Sequence, residues 1–415
     1  MKREEIEITA PAGSWDSLVA AVQGNADSVY FGVEKLNMRA ASSMNFTLKD
    51  LPRIADFCRR NNLKSYLTLN VVVYDNETSE VKKIVDSAIK NGISAIIASD
   101  ISVINYAASK GMEVHLSTQC NITNIEAIEF FSKYADTAVL ARELTLDQIG
   151  QIYSGIRNRN ICGPGGKIFR LEIFAHGALC MAVSGKCYLS LHEYNKSANR
   201  GECYQVCRRS YIVTDRETGF ELGVDNQYIM SPKDLCTISF LDKIISSGVS
   251  ILKIEGRARS PEYVRTVTSC YDEALKALES GNYTGELIED LTSRLSRVFN
   301  RGFWDGYYLG RRTGEWTNRY GSGATMKKTY LGKINNFYTK PGVAEIKLEN
   351  GDLAEGDTIL ITGPTTGALE IKVTGLRDAG KNESPTVKRG ELCSIKTPER
   401  VRKSDKVFKW ESIPR

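Results

Sequence analysis

Short apolar runs rich in β-branched residues alternate with longer amphipathic stretches from residue 6 to about residue 280. The short runs have the length of buried strands, and the longer stretches carry apolar residues at the spacing of one helix face. The pattern predicts eight strands, at residues 6–10, 28–31, 64–70, 95–99, 113–117, 137–141, 169–175 and 249–254. Helices are predicted in the gaps between them, which is typical of a parallel α/β architecture.

Capping residues mark several ends of the predicted helices. Ser or Thr before the first turn and Gly after the last turn are typical of helix boundaries, because they satisfy or relax backbone groups that the helix leaves unpaired. The boundaries predicted in this way are a helix from Ser14 to Gly24, one that follows Thr47 and begins near Leu48, one from Ser79 to Gly92, and two that stop at Gly111 and Gly248.

Eight strand–helix units in series predict either a closed barrel or a doubly wound open sheet. The count of eight favours the closed (β/α)8 barrel of the TIM type. The absence of a glycine-rich dinucleotide loop after the first strand favours it as well. We therefore expect a TIM-type catalytic domain over residues 1–320.

Two segments depart from this alternation. Between the seventh and eighth predicted strands lies an insertion over residues 178–236, which is far longer than an ordinary strand–helix loop. From residue 325 to residue 415 the pattern changes to short alternating runs separated by Gly, Asp and Asn turns. This texture predicts a small all-β barrel as a C-terminal domain.

Polar residues recur late in the predicted strands and with one parity. Alternate residues of a barrel strand face the lumen, and catalytic groups lie at the carboxyl ends of the strands. The residues of this parity are Thr68, Asn70, His115, Ser117, Gln119, Glu172, His176, Lys253 and Glu255, and Arg142 ends the sixth strand. As a set they indicate an active-site mouth, since burying several ionisable groups is costly. The alternative is that they are hydrogen-bonded residues that fill the lumen.

Composition and charge exclude several classes of protein. With 42% hydrophobic and 25% charged residues the chain is an ordinary globular protein, and its net charge of +5 permits contact with phosphates or acidic metabolites without requiring it. No apolar stretch approaches the 18 residues of a membrane span. The first residues turn acidic at Glu4 and Glu5, which is unlike a signal peptide. We expect a cytoplasmic protein without membrane contact.

Five of the ten cysteines cluster in and beside the insertion, at Cys180, Cys187, Cys203, Cys207 and Cys236. A reducing cytosol disfavours disulfides, and thiolates are good ligands for zinc and for iron–sulfur clusters. The gaps between the first four, of six, fifteen and three residues, lack a close CxxC pair and fit a larger cluster at least as well as zinc. Unliganded thiols remain an alternative. A loop after the seventh strand would bring this site to the catalytic face.

Several motifs resemble the signature of the peptidase U32 family, over essentially the whole chain. The most specific are EIFAHGALC at 172–180, SGKC at 184–187, NRGECYQVCR at 199–208, SPKDLC at 231–236, KIEGR at 253–257 and FNRGF at 299–303. The family is named for collagenase-like proteolysis. Characterised members look like oxygen-independent hydroxylases with a 4Fe–4S cluster, which act on tRNA wobble uridine, on a ribosomal RNA cytidine or on quinone precursors.

The length of the chain and its added β domain look most like the prephenate-dependent tRNA hydroxylases that make 5-hydroxyuridine. The resemblance implies tRNA and prephenate, or a similar small dicarboxylate, as partners, together with an unidentified electron donor. It also implies Cys180, Cys187, Cys203 and Cys236 as cluster ligands. Cys207 is a fifth thiol that could replace one of them.

These expectations assign roles to the polar residues at the predicted mouth. The catalytic candidates are Glu172, His176, Lys253 and Glu255, and the substrate-binding candidates are Arg39, Asn70, Gln119, Asn121, Arg142 and Arg257. The three arginines suit the two carboxylates of prephenate, and the amides suit the edge of a uridine. Arginines at 208–209 and 294–312 and lysines at 396–409 are candidates for RNA contact. The alternatives are a collagenase-like peptidase, a hydroxylase of ribosomal RNA or of a quinone precursor, and a non-catalytic RNA-binding module.

Overall fold

The computed structural model describes residues 2–41, 44–222, 230–310 and 314–413. The strands of its first part are β1 (Glu7–Pro11), β2 (Ser28–Gly32), β3 (Lys64–Leu69), β4 (Ala95–Ala98), β5 (Glu113–Leu116), β6 (Thr137–Val139), β7 (Arg170–Gly177), β8 (Val213–Thr214), β9 (Glu221–Leu222), β10 (Asp234–Cys236), β11 (Ile251–Ile254) and β12 (Phe303–Trp304). The helices are α1 (Trp15–Gln23), α2 (Leu51–Arg60), α3 (Thr78–Asn91), α4 (Ile101–Ser109), α5 (Ile125–Phe131), α6 (Leu146–Asn158), α7 (Leu189–Tyr194), α8 (Leu241–Ser246), α9 (Pro261–Ser280) and α10 (Gly285–Ser296).

Eight parallel strands close into a barrel. Strands β1 to β7 pair in chain order, and β11 pairs with both β1 and β7, which closes the ring of eight strands. Helices lie between successive strands, and the outward side chains of the strands pack against them in one large hydrophobic core. The predicted TIM-type barrel is confirmed, and the ends of its eight strands lie within two residues of the predicted ones.

The helix boundaries agree with the capping chemistry in most cases. Ser14 Oγ accepts the Ser17 N–H at the start of α1, and Gly24 follows its last residue, as predicted. The boundary predicted at Ser79 is wrong, because a 3-10 turn at Asp75–Glu77 leads into α3 one residue earlier. Gly92 ends α3 with φ of 75°, a conformation that glycine adopts without steric cost.

The insertion between β7 and β11 is tied to the barrel at its far end. Within it, α7 and short 3-10 turns carry the cysteine segment, and β8 and β9 form a hairpin. Strand β10 pairs antiparallel with the end of β7, which places Cys236 opposite His176. The loop between β7 and β10 is therefore anchored over the carboxyl ends of the barrel strands.

Antiparallel strands make up the C-terminal part of the chain. They are β13 (Met326–Tyr338), β14 (Val343–Leu348), β15 (Leu353–Ala354), β16 (Thr358–Gly363), β17 (Gly367–Lys372), β18 (Thr386–Val387), β19 (Leu392–Lys396) and β20 (Lys406–Ser412). Six of them form one sheet in the order β17-β16-β20-β13-β14-β19, while β15 pairs with β18. Their apolar side chains form a second core. Closure of this sheet into a barrel and the domain bounds 1–320 and 325–415 stay predictions.

The C-terminal strands pack against α1 and α9 of the barrel. The side-chain amide of Gln23 donates to the Thr366 carbonyl at 3.0 Å and accepts the Ala368 N–H at 3.0 Å. Arg265 donates to the Ala368 carbonyl. The contacts lie beside helices on the outside of the barrel. None of the helices in the described ranges is long and apolar enough to cross a membrane.

Candidate functional site

One cavity opens where the barrel strands end. Asn70 directly follows β3, Ser117 follows β5, and Glu255 follows β11, and all three line it. The cysteine insertion forms the opposite wall. The cavity therefore lies at the face where TIM-type barrels carry their catalytic groups.

The lining of this cavity is strongly basic. Among the described residues that line it, seven carry a positive charge: Arg39, Arg142, Arg208, Lys253, Arg257, Arg259 and Arg301. The carboxylate among the described lining residues is that of Glu255. Clefts lined by one sign of charge raise the local concentration of counter-charged molecules. The cavity is built to attract an anion.

Glu255 is held in its ionised form. Arg39 Nη2 lies 2.6 Å from Glu255 Oε1. Burial alone would raise the pKa of Glu255, but Arg39, Arg142 and Arg257 lower it to about 2. The same ion pair raises the pKa of Arg39 above its ordinary value. Arg39 is thus committed to Glu255 in this structure, and Glu255 offers a permanent negative charge to the cavity.

Arg142 and Arg257 are two cavity cations with donors to spare. Arg257 is 4% exposed, and its Nη1 donates to Thr68 Oγ1 at 2.9 Å. Arg142 Nη1 donates to the Ala178 carbonyl at 3.0 Å, its guanidinium lies 3.8 Å from the Phe174 ring centroid, and its Nε is buried without a hydrogen-bond partner. No carboxylate of the described residues lies within 4 Å of either guanidinium. Burial lowers the pKa of Arg257 to about 10, a cost that a bound anion would offset.

A buried ion pair forms the floor of the cavity. Lys253 Nζ donates to Glu172 Oε1 at 2.8 Å, and the two side chains are 5% and 0% exposed. Lys253 lines the cavity, and its Nζ lies 4.6 Å from the centroid of the Tyr30 ring. Although burial alone would raise the pKa of Glu172, Lys253 and His115 lower it. Glu172 itself lies one layer deeper in the lumen.

Two of the three predicted amides reach the cavity. Asn70 Oδ1 accepts the Met38 N–H at 3.2 Å, and its Nδ2 donates to Ser117 Oγ at 3.3 Å and to Gln119 Oε1 at 3.4 Å. Both Asn70 and Gln119 line the cavity. Asn121 does not line it, because it sits at φ 52° just after the 3-10 turn Thr118–Cys120, where the chain turns away.

The structure places His176 outside the cavity. The pairing of β7 with β11 shifts register, so that Lys253 lies opposite Phe174 and Ile254 opposite His176, with one extra residue in β7. A bulge of this kind reverses which face the following side chain occupies. The His176 ring packs against Tyr271 and Phe303, at centroid distances of 5.8 and 5.5 Å. Burial lowers the pKa of His176 to about 3, which favours the neutral imidazole.

Four cysteines lie together at the mouth of the cavity. They are Cys180, Cys187, Cys203 and Cys207, and all four line it as free thiols. The pKa of Cys207 is raised to about 11, mainly by burial and in smaller part by the nearby thiols of Cys180, Cys203 and Cys187. No three His, Cys, Asp or Glu side chains in the described parts of the chain are arranged so as to hold a metal ion as they stand. In number and chemistry the four thiols fit a cysteine-bound cluster.

Cys236 stands apart from these four. It lies in β10 opposite His176, it is 7% exposed, and it does not line the cavity. Burial raises the pKa of Cys236 to about 11, with no contribution from the other cysteines. The ligand set implied by the resemblance included Cys236. The structure instead groups Cys207 with Cys180, Cys187 and Cys203.

The described arginines among those expected to contact RNA are engaged within the protein, and Arg311 and Arg312 lie outside the described residues. Arg208 donates to the carbonyls of Leu179 and Pro232, both at 2.6 Å, and thereby ties the insertion together. Arg294 pairs with Glu273 at 2.6 Å, and Arg297 pairs with Glu370 at 2.5 Å. Their charges are therefore largely paired with carboxylates or carbonyl groups of the protein itself.

Sequence reasoning missed several lining residues. Arg259 and Arg301 both line the cavity and lie over the Phe299 ring, at 3.5 and 5.0 Å from its centroid. The signal for Arg259 was its place two residues after Arg257 in the loop that follows β11. Arg301 lies beyond the barrel strands, and no pattern within the strands could have placed it there.

Comparison with known proteins gives a consistent result. The sequence model of peptidase family U32 matches residues 13–318. A protein of Porphyromonas gingivalis (strain ATCC BAA-308 / W83) named collagenase is 55% identical over 411 residues, 99% of this chain and 99% of that protein. The Escherichia coli (strain K12) 23S rRNA 5-hydroxycytidine C2501 synthase is 32% identical over 75% of this chain and 46% of that protein. The Bacillus subtilis (strain 168) tRNA hydroxylation protein P1 is 28% identical over 91% of this chain and 88% of that protein. The chain belongs to peptidase family U32.

Proposed function

We propose that this chain is an RNA-modifying enzyme that hydroxylates the wobble uridine of tRNA to 5-hydroxyuridine without using dioxygen. The observation that carries the proposal is the group of four cysteines at the mouth of a cavity lined by seven cations. Thiolates suit a redox centre, and a basic cavity suits an anionic nucleotide. Two relatives are named for the hydroxylation of tRNA and for 5-hydroxycytidine synthesis on ribosomal RNA, which supports an RNA substrate.

In this proposal Cys180, Cys187, Cys203 and Cys207 hold a 4Fe–4S cluster. When bound, such a cluster supplies one-electron chemistry beside the substrate. Cys236 is left out of the ligand set, because its side chain is buried at the junction of β7 and β10, away from the cavity. Replacing the C5 hydrogen of the base with a hydroxyl group without dioxygen removes two electrons and two protons, so an electron acceptor outside this chain completes the redox balance.

Arg142 and Arg257 are proposed to bind the two carboxylates of prephenate or of a similar small dicarboxylate. A guanidinium pairs with a carboxylate through two parallel hydrogen bonds, and both of these side chains have donors that no carboxylate of the described residues uses. Arg39 supports the site indirectly, because its charge is matched by Glu255. The bound anion would neutralise the charge of Arg257, which burial makes costly.

The base is proposed to enter the cavity unstacked, as enzymes that act on a base require. Asn70 and Gln119 would read its polar edge, and Glu255 would accept the imide N–H. Lys253 would donate to a ring carbonyl oxygen and would thereby stabilise negative charge that develops on the ring. Glu172 holds Lys253 in place.

Peptidase activity is the second candidate, because the relative with 55% identity is named collagenase. A cysteine or serine peptidase needs a nucleophile with a base in hydrogen-bond reach. Exposed Cys180 lines the cavity, but no histidine stands among the described residues that line it. The geometry therefore supports hydroxylation better than proteolysis.

Nucleoside mass spectrometry tests the proposal. tRNA is isolated from cells that lack the gene and from the same cells supplied with the parent protein or with a Cys180→Ala variant. We expect uridine to gain the mass of one oxygen atom at the wobble position with the parent protein, and to stay unmodified with the variant. Unmodified tRNA in all three strains, with cleavage of gelatin by the purified parent protein, would establish the peptidase instead.

A further inference from the structure

A chain of polar side chains crosses the barrel lumen beneath the cavity. Glu113 Oε1 lies 3.0 Å from His115 Nε2, and His115 Nδ1 lies 3.7 Å from Glu172 Oε2. The other oxygen of Glu172 accepts a hydrogen bond from Lys253 at 2.8 Å. Four side chains from the barrel strands β5, β7 and β11 thus form one connected path.

The two ends of this path lie at opposite ends of the barrel. Glu113 is the first residue of β5, at the amino end of the strand, and its side chain is 44% exposed. Lys253 lines the cavity at the carboxyl end. His115 and Glu172, between them, are 0% exposed. The path therefore connects solvent below the barrel with the floor of the cavity above.

A purely structural role does not explain the buried middle of the path, formed by His115 and Glu172. Lumens of such barrels are usually filled with branched apolar side chains, and buried polar groups are normally fully hydrogen-bonded. Here His115 Nδ1 and Glu172 Oε2 face each other, and both lack a hydrogen-bond partner. Their separation of 3.7 Å is slightly too long for a hydrogen bond and short enough for one to form with a small side-chain movement.

We propose that Glu113, His115 and Glu172 form a proton relay that returns protons to Lys253 from the solvent at the far end of the barrel. The inference rests on the proposed function in placing Lys253 against a ring carbonyl oxygen, and it goes beyond that function in having Lys253 pass a proton to this oxygen. Substrate at the mouth would shield Lys253 from the solvent above it. A second route to water would then allow Lys253 to regain its proton while substrate is bound.

The relay moves one proton per cycle and leaves every member unchanged. Lys253 gives a proton to the ring carbonyl oxygen that gains negative charge in the cavity, and becomes neutral. Glu172 receives a proton on Oε2 from His115 Nδ1, and rotation of its carboxyl group then brings this proton to Lys253 Nζ. His115 recovers a proton on Nε2 from Glu113, which takes it from water. One proton enters at Glu113 and one leaves at Lys253.

The groups around His115 favour exchange along this path. Burial alone would lower the pKa of His115, but Glu113 and Glu172 raise it above its ordinary value, which favours the protonated imidazole that the relay needs. On its other side the His115 ring lies 4.5 Å from the Tyr66 ring, which bonds to Glu7.

The Glu7 branch is not a competing route. Lys64 and Arg170 pair with Glu7 at 2.7 and 2.9 Å, and together with Tyr66 they hold its pKa at about 2. The pKa of Tyr66 is raised by burial and by Glu7. Asp136, the remaining charged group that acts on His115 and Glu113, is held by the Gly165 N–H at 2.8 Å. Neither Glu7 nor Asp136 connects His115 to the cavity.

Exchange of the His115 imidazole N–H with water tests the relay directly. The rate is measured by NMR saturation transfer on protein labelled with nitrogen-15 at histidine, in the parent and in the Glu113→Gln variant. We expect exchange to slow by roughly tenfold or more, since a positioned acid or base commonly accelerates proton transfer by at least that factor. Glu126→Gln is the matched control, because Glu126 is an exposed carboxylate paired with Arg159 outside the lumen.

An exchange rate that is equal in the parent and in Glu113→Gln would overturn the relay, and a loss confined to that variant would support it. The measurement needs no substrate, so its result does not depend on which reaction the cavity performs. In turnover assays Glu113→Gln should lower kcat and leave KM unchanged. Absence of hydroxylated product with the parent protein would overturn the proposed function and would leave the exchange result standing.

Discussion

Replacing Lys253 with methionine would leave the buried carboxylate of Glu172 without its nearest partner. The two charged groups are 2.8 Å apart and almost fully buried. At that separation their attraction is about 6 kcal/mol with an effective dielectric constant of about 20. Removing one member of a buried pair typically costs about 3–5 kcal/mol, because the other charge stays buried. His115, at 3.7 Å from Glu172, can carry compensating charge, so we expect a loss of about 3 kcal/mol.

Urea unfolding at neutral pH measures this loss. The Lys253→Met variant is compared with the parent and with Glu172→Gln/Lys253→Met, in which neither charge remains. We expect the double variant to recover most of the free energy of unfolding, because two apolar or neutral side chains of similar volume leave no buried charge. A loss of less than about 1 kcal/mol in Lys253→Met, the size typical of an exposed pair, would refute the reading of this pair as a desolvated one.

The loss of unfolding free energy in the Lys253→Met variant should also depend on pH in a defined direction. The pKa of Glu172 is lowered in the folded protein, so its pairing stabilises the fold above the ordinary carboxyl pKa of about 4.3. This contribution is lost as the pH falls through the lowered folded value. The difference between the parent and Lys253→Met should therefore shrink in acid, and a difference that grows in acid would contradict the sign.

Further expectations follow from the charges around the cavity. Arg142→Ala/Arg257→Ala should lose its response to prephenate in turnover assays and keep the iron content of the parent, whereas unchanged turnover would contradict the proposed clamp. The pKa of Glu255 is about 2, so its contribution to stability is full above about 4.3 and is lost toward 2; thermal unfolding of the parent and of Glu255→Gln should converge in acid, and divergence there would be the wrong sign. Affinity for tRNA, followed by filter binding, should fall steeply with added salt, and a flat response would argue against phosphate contacts.

The barrel and the position of its site could be predicted because both depend on short-range patterns. Strand length, apolar runs and the parity of Asn70, Ser117 and Lys253 are properties of a few consecutive residues. Once eight such strands close, their carboxyl ends must meet at one face. The cavity was therefore expected where the structure has it.

The remaining details depend on contacts between distant parts of the chain. A single extra residue in β7 turns His176 out of the lumen, and nothing in the local sequence marks that bulge. The pairing of β10 with β7 places Cys236 away from the other cysteines. The spacing of the cysteines along the sequence does not predict that pairing. Likewise, the charge of Arg297 is matched by Glu370 from the C-terminal strands, a pairing that the basic stretch around Arg297 does not reveal.

The central claim is that four cysteines at the cavity mouth hold a redox cluster, and iron and sulfide content tests it most directly. The protein is purified without oxygen, and its metal content and visible spectrum are compared among the parent, Cys180→Ala, Cys187→Ala, Cys203→Ala, Cys207→Ala and Cys236→Ala. The account predicts about four irons and four sulfides per chain in the parent, as a 4Fe–4S cluster requires. They should be lost in the first four variants and kept in Cys236→Ala. Zinc or no metal in the parent, or loss of iron in Cys236→Ala with retention in Cys207→Ala, would contradict it.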